Sequence, residues 1–123
     1  MDLTIPRRNG SPNYHHTRIT VFERDGNKCL RCLGDATVVH HRRVKGMGGS
    51  RSPQTHGLAN LISLCSPCHE HIHANPAESY ELGFLVSKFN TPSDVPVMVG
   101  TRQRMFLSDD GSSVHGTEYV WGI

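Results

Sequence analysis

The sequence predicts a small α+β fold stapled by a metal site as well as by apolar packing. Three observations carry that reading. The chain has 123 residues, which suits one domain with a modest core. Short runs rich in β-branched residues, ATVVHH and LISL, alternate with stretches that carry helix caps and stops. Two Cys-x-x-Cys pairs, Cys29/Cys32 and Cys65/Cys68, supply the kind of cross-link that a small core needs.

The elements follow in order. Residues 1–16, with two prolines, a glycine and two asparagines, read as a flexible arm. From Thr17, TRITVFER sets Ile19, Val21 and Phe22 among charged residues and predicts a short helix, stopped by Asp25-Gly26-Asn27. CLRC and a Gly34-Asp35 turn come next. ATVVHH predicts a strand that ends on His40 and His41, and RRVKGMGGSRSPQTHG a long glycine-rich loop. LISL predicts the returning strand. A helix is expected from about Pro67 with Ser66 as its cap, because proline suits a first helical position. Asn75-Pro76 breaks it and opens a second helix, NPAESYELG, with Asn75 as cap, Glu78 at the capping-box position and Gly83 as stop. Beyond Thr91, the apolar runs VPVMV, RMFL and TEYVW, separated by Gly100 and by Asp109-Asp110-Gly111, predict a C-terminal β-hairpin. The expected organisation is an arm over 1–16, a central domain over 17–90, and a β extension over 91–123 packed on or beside it.

Charge narrows the class of partner. The formal net charge is only +2, but residues 1–51 hold ten Arg/Lys against four Asp/Glu, while residues 52–123 hold three against seven. A basic half suits a polyanion. No run approaches the roughly 20 apolar residues that cross a bilayer, so no membrane partner is expected. No apolar stretch follows the basic residues of MDLTIPRRNG, as a secretory signal would require. The expectation is a soluble, cytoplasmic protein with reduced thiols, where paired cysteines bind metal more often than they form disulfides.

The chemistry-bearing residues cluster in two sets. A tight Cys-x-x-Cys turn presents two thiolates, and two such turns complete a tetrahedral shell. Cys29, Cys32, Cys65 and Cys68 are therefore expected to hold one structural zinc, with disulfides or a redox pair as the alternatives. Among the histidines, His69 and His73 stand four apart on a predicted helix and so share a face, the spacing that offers two imidazoles to one metal. His71 points roughly the other way and reads as solvated. His40 and His41 are neighbours on a strand and face opposite ways, so one can join the metal while the other approaches from a different direction. Arg42, Arg43, Lys45 and Arg51, in and beside the long loop, are expected to meet the phosphates of such a polyanion. Gly46, Gly48 and Gly49 let the backbone come close. His15, His16, His56 and His115 have no evident partner and read as surface residues.

His40-His41, Gly48-Gly49, Asn60-Leu61 and CSPCHEHIH, taken together in that order, resemble the HNH endonuclease family. The likeness covers about residues 17–87 and is densest between Cys29 and His73. The segment CHEHIHANPAESYELGFLVS is also similar to HNH proteins of actinobacterial phages and their hosts. The resemblance implies a ββα-metal (His-Me finger) core, two strands and a helix around one catalytic cation, and phosphodiester hydrolysis in DNA that leaves 5′-phosphate and 3′-hydroxyl ends. The step of nine residues from Asn60 to His69, then four to His73, is similar to the nuclease domains of DNase colicins. By that match His40, His69 and His73 would hold the catalytic metal, His41 would be the general base, and Asn60 would fix the loop behind it.

One position departs from the family. The residue before the general base is often Asp, and here it is His40. An all-imidazole shell favours zinc, nickel or cobalt over magnesium. With His40 off the metal, magnesium or manganese becomes easier, so the identity of the catalytic divalent cation stays open. A phage-like member implies association with terminase or portal proteins of DNA packaging, inside a bacterial host cell. The competing class is a non-catalytic zinc-knuckle module that binds nucleic acid, which would keep the cysteines and basic loop without needing His41, Asn60 and the helix pair together.

Overall fold

The α1 helix, Tyr14–Arg24, begins one turn earlier than the sequence indicates and buries Val21 completely. It belongs to a computed structural model that describes residues 14–43, 57–101 and 103–115. The helix ends where Gly26 and Asn27 both take left-handed backbone, with φ of 68° and 62°, a conformation glycine and asparagine tolerate best. Asp25, just past the end, is buried because it is paired. Its carboxylate accepts from Arg24 Nε at 2.8 Å and from the Ser63 N–H at 3.0 Å, which ties α1 to the strand that carries Ser63.

Strands β1 (Val38–His41) and β2 (Leu61–Leu64) form an antiparallel pair with Val38 opposite Leu64 and His41 opposite Leu61. Every residue of β2 is buried, so this strand is enclosed on both faces, and its one polar residue, Ser63, is hydrogen-bonded to Asp25. The chain then enters α2 (Ser66–Ala74), with Pro67 in its first turn. Cys65, not Ser66, is the N-cap, and its side chain makes no capping bond, leaving the thiol for other work. The helix α3 (Pro76–Leu82) follows after Asn75. The Asn75 side chain turns back to the His71 carbonyl at 2.9 Å instead of capping α3. Ser79 Oγ donates to the carbonyls of Ile72 and Asn75, which staples the two helices. Gly83 closes α3 at φ 85°, and a Cβ there would run into the Pro96 carbonyl, so the stop needs glycine twice over.

The C-terminal region differs from the expected hairpin. It is a three-stranded antiparallel sheet, β3 (Val97–Val99), β4 (Gln103–Leu107) and β5 (Ser113–His115), in that order. The run VPVMV supplies β3 and RMFL supplies β4. The third strand comes from Ser113-Val114-His115, which carries one apolar residue and so gives no strand signal. TEYVW lies outside the described residues. Val97, Met98, Met105 and Leu107 join Leu30, Ile62, Leu64, Ile72 and Phe84 in one core, so both sheets pack on the same interior.

The fold is thus small and α+β, with three helices and two small antiparallel sheets among the described residues. No described helix is long and apolar enough to cross a membrane.

Candidate metal centres

The two Cys-x-x-Cys turns meet. Cys29, Cys32, Cys65 and Cys68 bring their sulfurs within 4.8 Å of one another. The first turn closes through Leu33 N–H to Cys29 O at 2.7 Å and requires a positive φ of 67° at Leu33. The second sits at the entry to α2. Leu30 N–H donates to Ser63 O at 3.0 Å, hanging the first knuckle on β2. All four cysteines are unbridged, and Cys32 Sγ lies 3.7 Å from Cys65 Sγ. That is far too long for an S–S bond. It matches the edge of a thiolate tetrahedron, about 3.8 Å when each sulfur is about 2.3 Å from a central zinc.

Donors already point at these sulfurs. The Cys32 N–H reaches Cys29 Sγ at 3.5 Å, the Gly34 N–H reaches Cys32 Sγ at 3.4 Å, and Arg31 Nη1 reaches Cys68 Sγ at 3.2 Å. The protonation states are divided. Burial pushes the Cys68 thiol up to about 12 against the help of Arg31. Cys29 comes down to about 7 because backbone N–H groups from Cys32 and Cys65 outweigh its burial. Four clustered thiols of this kind could hold a structural metal such as zinc, whose charge would favour the thiolate at every position.

A second cluster lies one helical turn away. His40, His69 and His73 offer ring nitrogens within 4.8 Å of one another. His69 and His73 project from one face of α2, with Nε2 atoms 3.2 Å apart and ring centroids 4.7 Å apart. His40 enters from β1, with centroids 5.1 Å from His69 and 5.4 Å from His73. Two nitrogens on one zinc at 2.0–2.1 Å stand about 3.3 Å apart at a tetrahedral angle, so the helix pair fits one cation. His40 Nε2 lies 2.8 Å from the Phe84 carbonyl, which can only accept. Nε2 therefore carries the proton, and Nδ1 presents its lone pair. A carbonyl that sets the tautomer in this way is the usual support of a metal-binding histidine. Burial also holds His40 well below its ordinary range, at about 4, so the ring stays neutral. His69 is lowered too, by burial and then by His73.

His41, half-buried, follows His40 at the end of β1 and leaves the strand on the other side. Asn60 is buried at the end of a 3₁₀ turn, Leu58–Asn60, that leads into β2. Its Oδ1 accepts the Arg43 N–H at 2.7 Å, and its backbone carbonyl accepts the Arg42 N–H at 2.8 Å. Asn60 thus fastens the two residues that follow His41.

Arg42 is a correction. The sequence suggests a phosphate contact, yet the side chain is wholly buried. Its guanidinium donates to the carbonyls of Gly83 (2.9 Å), Ala59 (2.8 Å), Pro92 (3.2 Å) and Val95 (2.6 Å). None of these carbonyls is bonded in a sheet, although Pro92 O also accepts the Val95 N–H at 3.2 Å, and one planar cation gathers all four. Arg43 is half-buried and donates from Nη2 to Lys88 O at 2.9 Å. Lys45, Gly46, Gly48, Gly49, Arg51 and His56 lie outside the described residues. His16 is exposed, and His71 is half-buried with Nε2 3.4 Å from Glu78 Oε1.

Sequence reasoning missed Arg24, Arg31, Asp109 and the Phe84 carbonyl. Each makes a contact across 34 or more positions, and such pairings leave no local motif. Compared with family models, curated proteins and solved structures, the chain matches none.

Proposed function

We propose that the protein is a metal-dependent DNA endonuclease of the HNH type, built on a ββα-metal core formed by β1, β2 and α2. One observation carries the reading: three imidazoles from a strand and a helix converge beside a fourth, His41, whose following backbone is fastened by a buried Asn60. A zinc-knuckle binding module would need only the cysteines. The buried asparagine that fastens the two residues after His41 favours the nuclease over such a module.

His40 through Nδ1, with His69 and His73, would hold one divalent cation, zinc, nickel or cobalt by the preference of imidazole. Such an ion, when bound, polarises a phosphate oxygen and stabilises the departing 3′ oxygen. The protein's own residues do the rest. A neutral imidazole can take the proton of an attacking water at neutral pH, and that task falls to His41 in this reading. Asn60 holds the backbone that carries His41, which sets the direction of attack. Cys29, Cys32, Cys65 and Cys68 hold the structural zinc that fixes the start of α2 and hence His69 and His73. The products are 5′-phosphate and 3′-hydroxyl ends. Sequence preference is low, because the described residues contain no separate base-reading helix.

The test is nicking of supercoiled plasmid with zinc, nickel, cobalt, manganese or magnesium added in turn. The parent nicks with at least one of them, and His41→Ala loses cleavage while keeping DNA affinity and helical content. No nicking with any ion sinks the enzyme reading and leaves the binding module. A phage context implies terminase or portal partners within a bacterial cytoplasm. Co-purification with those subunits, or stimulation of nicking by them, tests that association.

A further inference from the structure

The 3₁₀ turn that presents Asn60 is gripped from three directions. Arg24, at the end of α1, donates from Nη1 to Leu58 O at 2.8 Å and from Nη2 to Leu61 O at 2.6 Å. Arg42, just past β1, donates from Nη1 to Ala59 O at 2.8 Å. Asp109, on the turn between β4 and β5, accepts the Ala59 N–H at 3.1 Å through Oδ1. The same oxygen occupies the space beside Gly57, where an added Cβ would stand only 2.7 Å from it. A turn of three residues makes few bonds of its own and would otherwise fray. Here donors meet its carbonyls and a carboxylate meets its free N–H.

We propose that Asp109 is a positioning residue for Asn60 and, through the Asn60 Oδ1 bond to the Arg43 N–H, for the backbone that follows His41. Arg24 and Arg42 are its counterparts on the carbonyl side of the turn. The carboxylate fixes the N–H of Ala59, the neighbour of Asn60, so the turn cannot rotate and Oδ1 keeps its 2.7 Å reach to Arg43. The C-terminal sheet thereby acquires a task. It delivers one oxygen to the rear of the site from a point 49 residues further along the chain than Asn60. The geometry stands by itself; its effect on rate rests on the nuclease reading.

Asp109 is the right residue to test because it is exposed on a turn, whereas Arg24 also pairs with buried Asp25 and Arg42 holds four carbonyls. Full-length, metal-loaded Asp109→Ala and Asp109→Asn are compared with the parent in three readouts. These are steady-state nicking, thermal unfolding, and hydrogen exchange of the Arg43 amide by NMR. In Asp109→Ala, kcat falls about tenfold or more while KM stays within about twofold, as expected for a misaimed group rather than a lost binding contact. The Arg43 amide exchanges about tenfold faster, following the loss of about 1.4 kcal/mol of local protection. Asp109→Asn, which keeps an acceptor oxygen, restores both. A parental kcat in Asp109→Ala, an unchanged Arg43 exchange rate, or an Asn variant as impaired as the Ala variant each overturns the proposal. A parent that never nicks DNA overturns the nuclease reading instead, and the amide readout then decides the positioning by itself.

Discussion

Replacing Arg42 by methionine keeps an unbranched apolar stem and removes the guanidinium with its five donors. In the parent the guanidinium serves the carbonyls of Ala59, Gly83, Pro92 and Val95, with no carboxylate partner among those contacts. Burial and then the charge of Arg24 pull its pKa down to about 10, so it is still a cation at neutral pH. Hydrogen bonds to a charged group contribute roughly 1.5–3 kcal/mol each, but the cation's own desolvation offsets much of the sum. Methionine leaves the Ala59, Gly83 and Val95 carbonyls without their donor, with Pro92 still accepting the Val95 N–H. Each acceptor left unsatisfied costs roughly 1–3 kcal/mol, and the total is roughly 3–5 kcal/mol once the cation's own desolvation is offset. For a domain of this size that lowers Tm by roughly 10–20 °C. Thermal and urea unfolding of metal-loaded protein at neutral pH measure it, and Arg42→Lys should fall between, since one ammonium cannot reach every carbonyl. If methionine lost less than about 1 kcal/mol, the guanidinium would not be the tie between β1, the Asn60 turn and the loop after α3.

Three other outcomes are expected. Cys65→Ser unfolds the domain or lowers its stability by several kcal/mol with loss of tightly held zinc, measured by metal analysis and circular dichroism; parental stability would remove the structural-metal assignment. His69→Ala and His73→Ala each abolish cobalt binding at the histidine cluster, read from the visible spectrum, while the thiolate-to-cobalt band persists. In protein that keeps zinc on the thiolates and has the histidine cluster empty, stability falls with acid. His40 is held near pH 4 in the fold against an ordinary 6.5, so between those values the unfolded chain binds a proton that the folded one refuses. The loss approaches roughly 3 kcal/mol by pH 4 and is complete below it, and it disappears in His40→Gln if the assignment holds.

Much of the candidate site was legible because its ligands come in local packets. Cys29/Cys32 and Cys65/Cys68 each sit in one tight turn, and His69/His73 share one helix face, so spacing alone groups them. His40 and Asn60 needed the resemblance, since a lone histidine or asparagine carries no period. The sequence puts the start of α1 a turn late because the first residues of the helix have no apolar face to mark them. The strand Ser113–His115 was invisible because it is held by pairing with β4, not by its own side chains.

The amino-acid sequence by itself determined which thiols and imidazoles could share a cation, since knuckles and helix turns bring neighbours together whatever surrounds them. Only the tertiary structure decided what the cationic and acidic side chains do. Arg42 reads as a surface charge until the carbonyls of residues 59, 83, 92 and 95 gather around it. Asp109 reads as a turn residue until the second sheet carries it to the Ala59 N–H. Backbone donors and acceptors are the same at every position, so no residue type announces which of them a distant side chain will find.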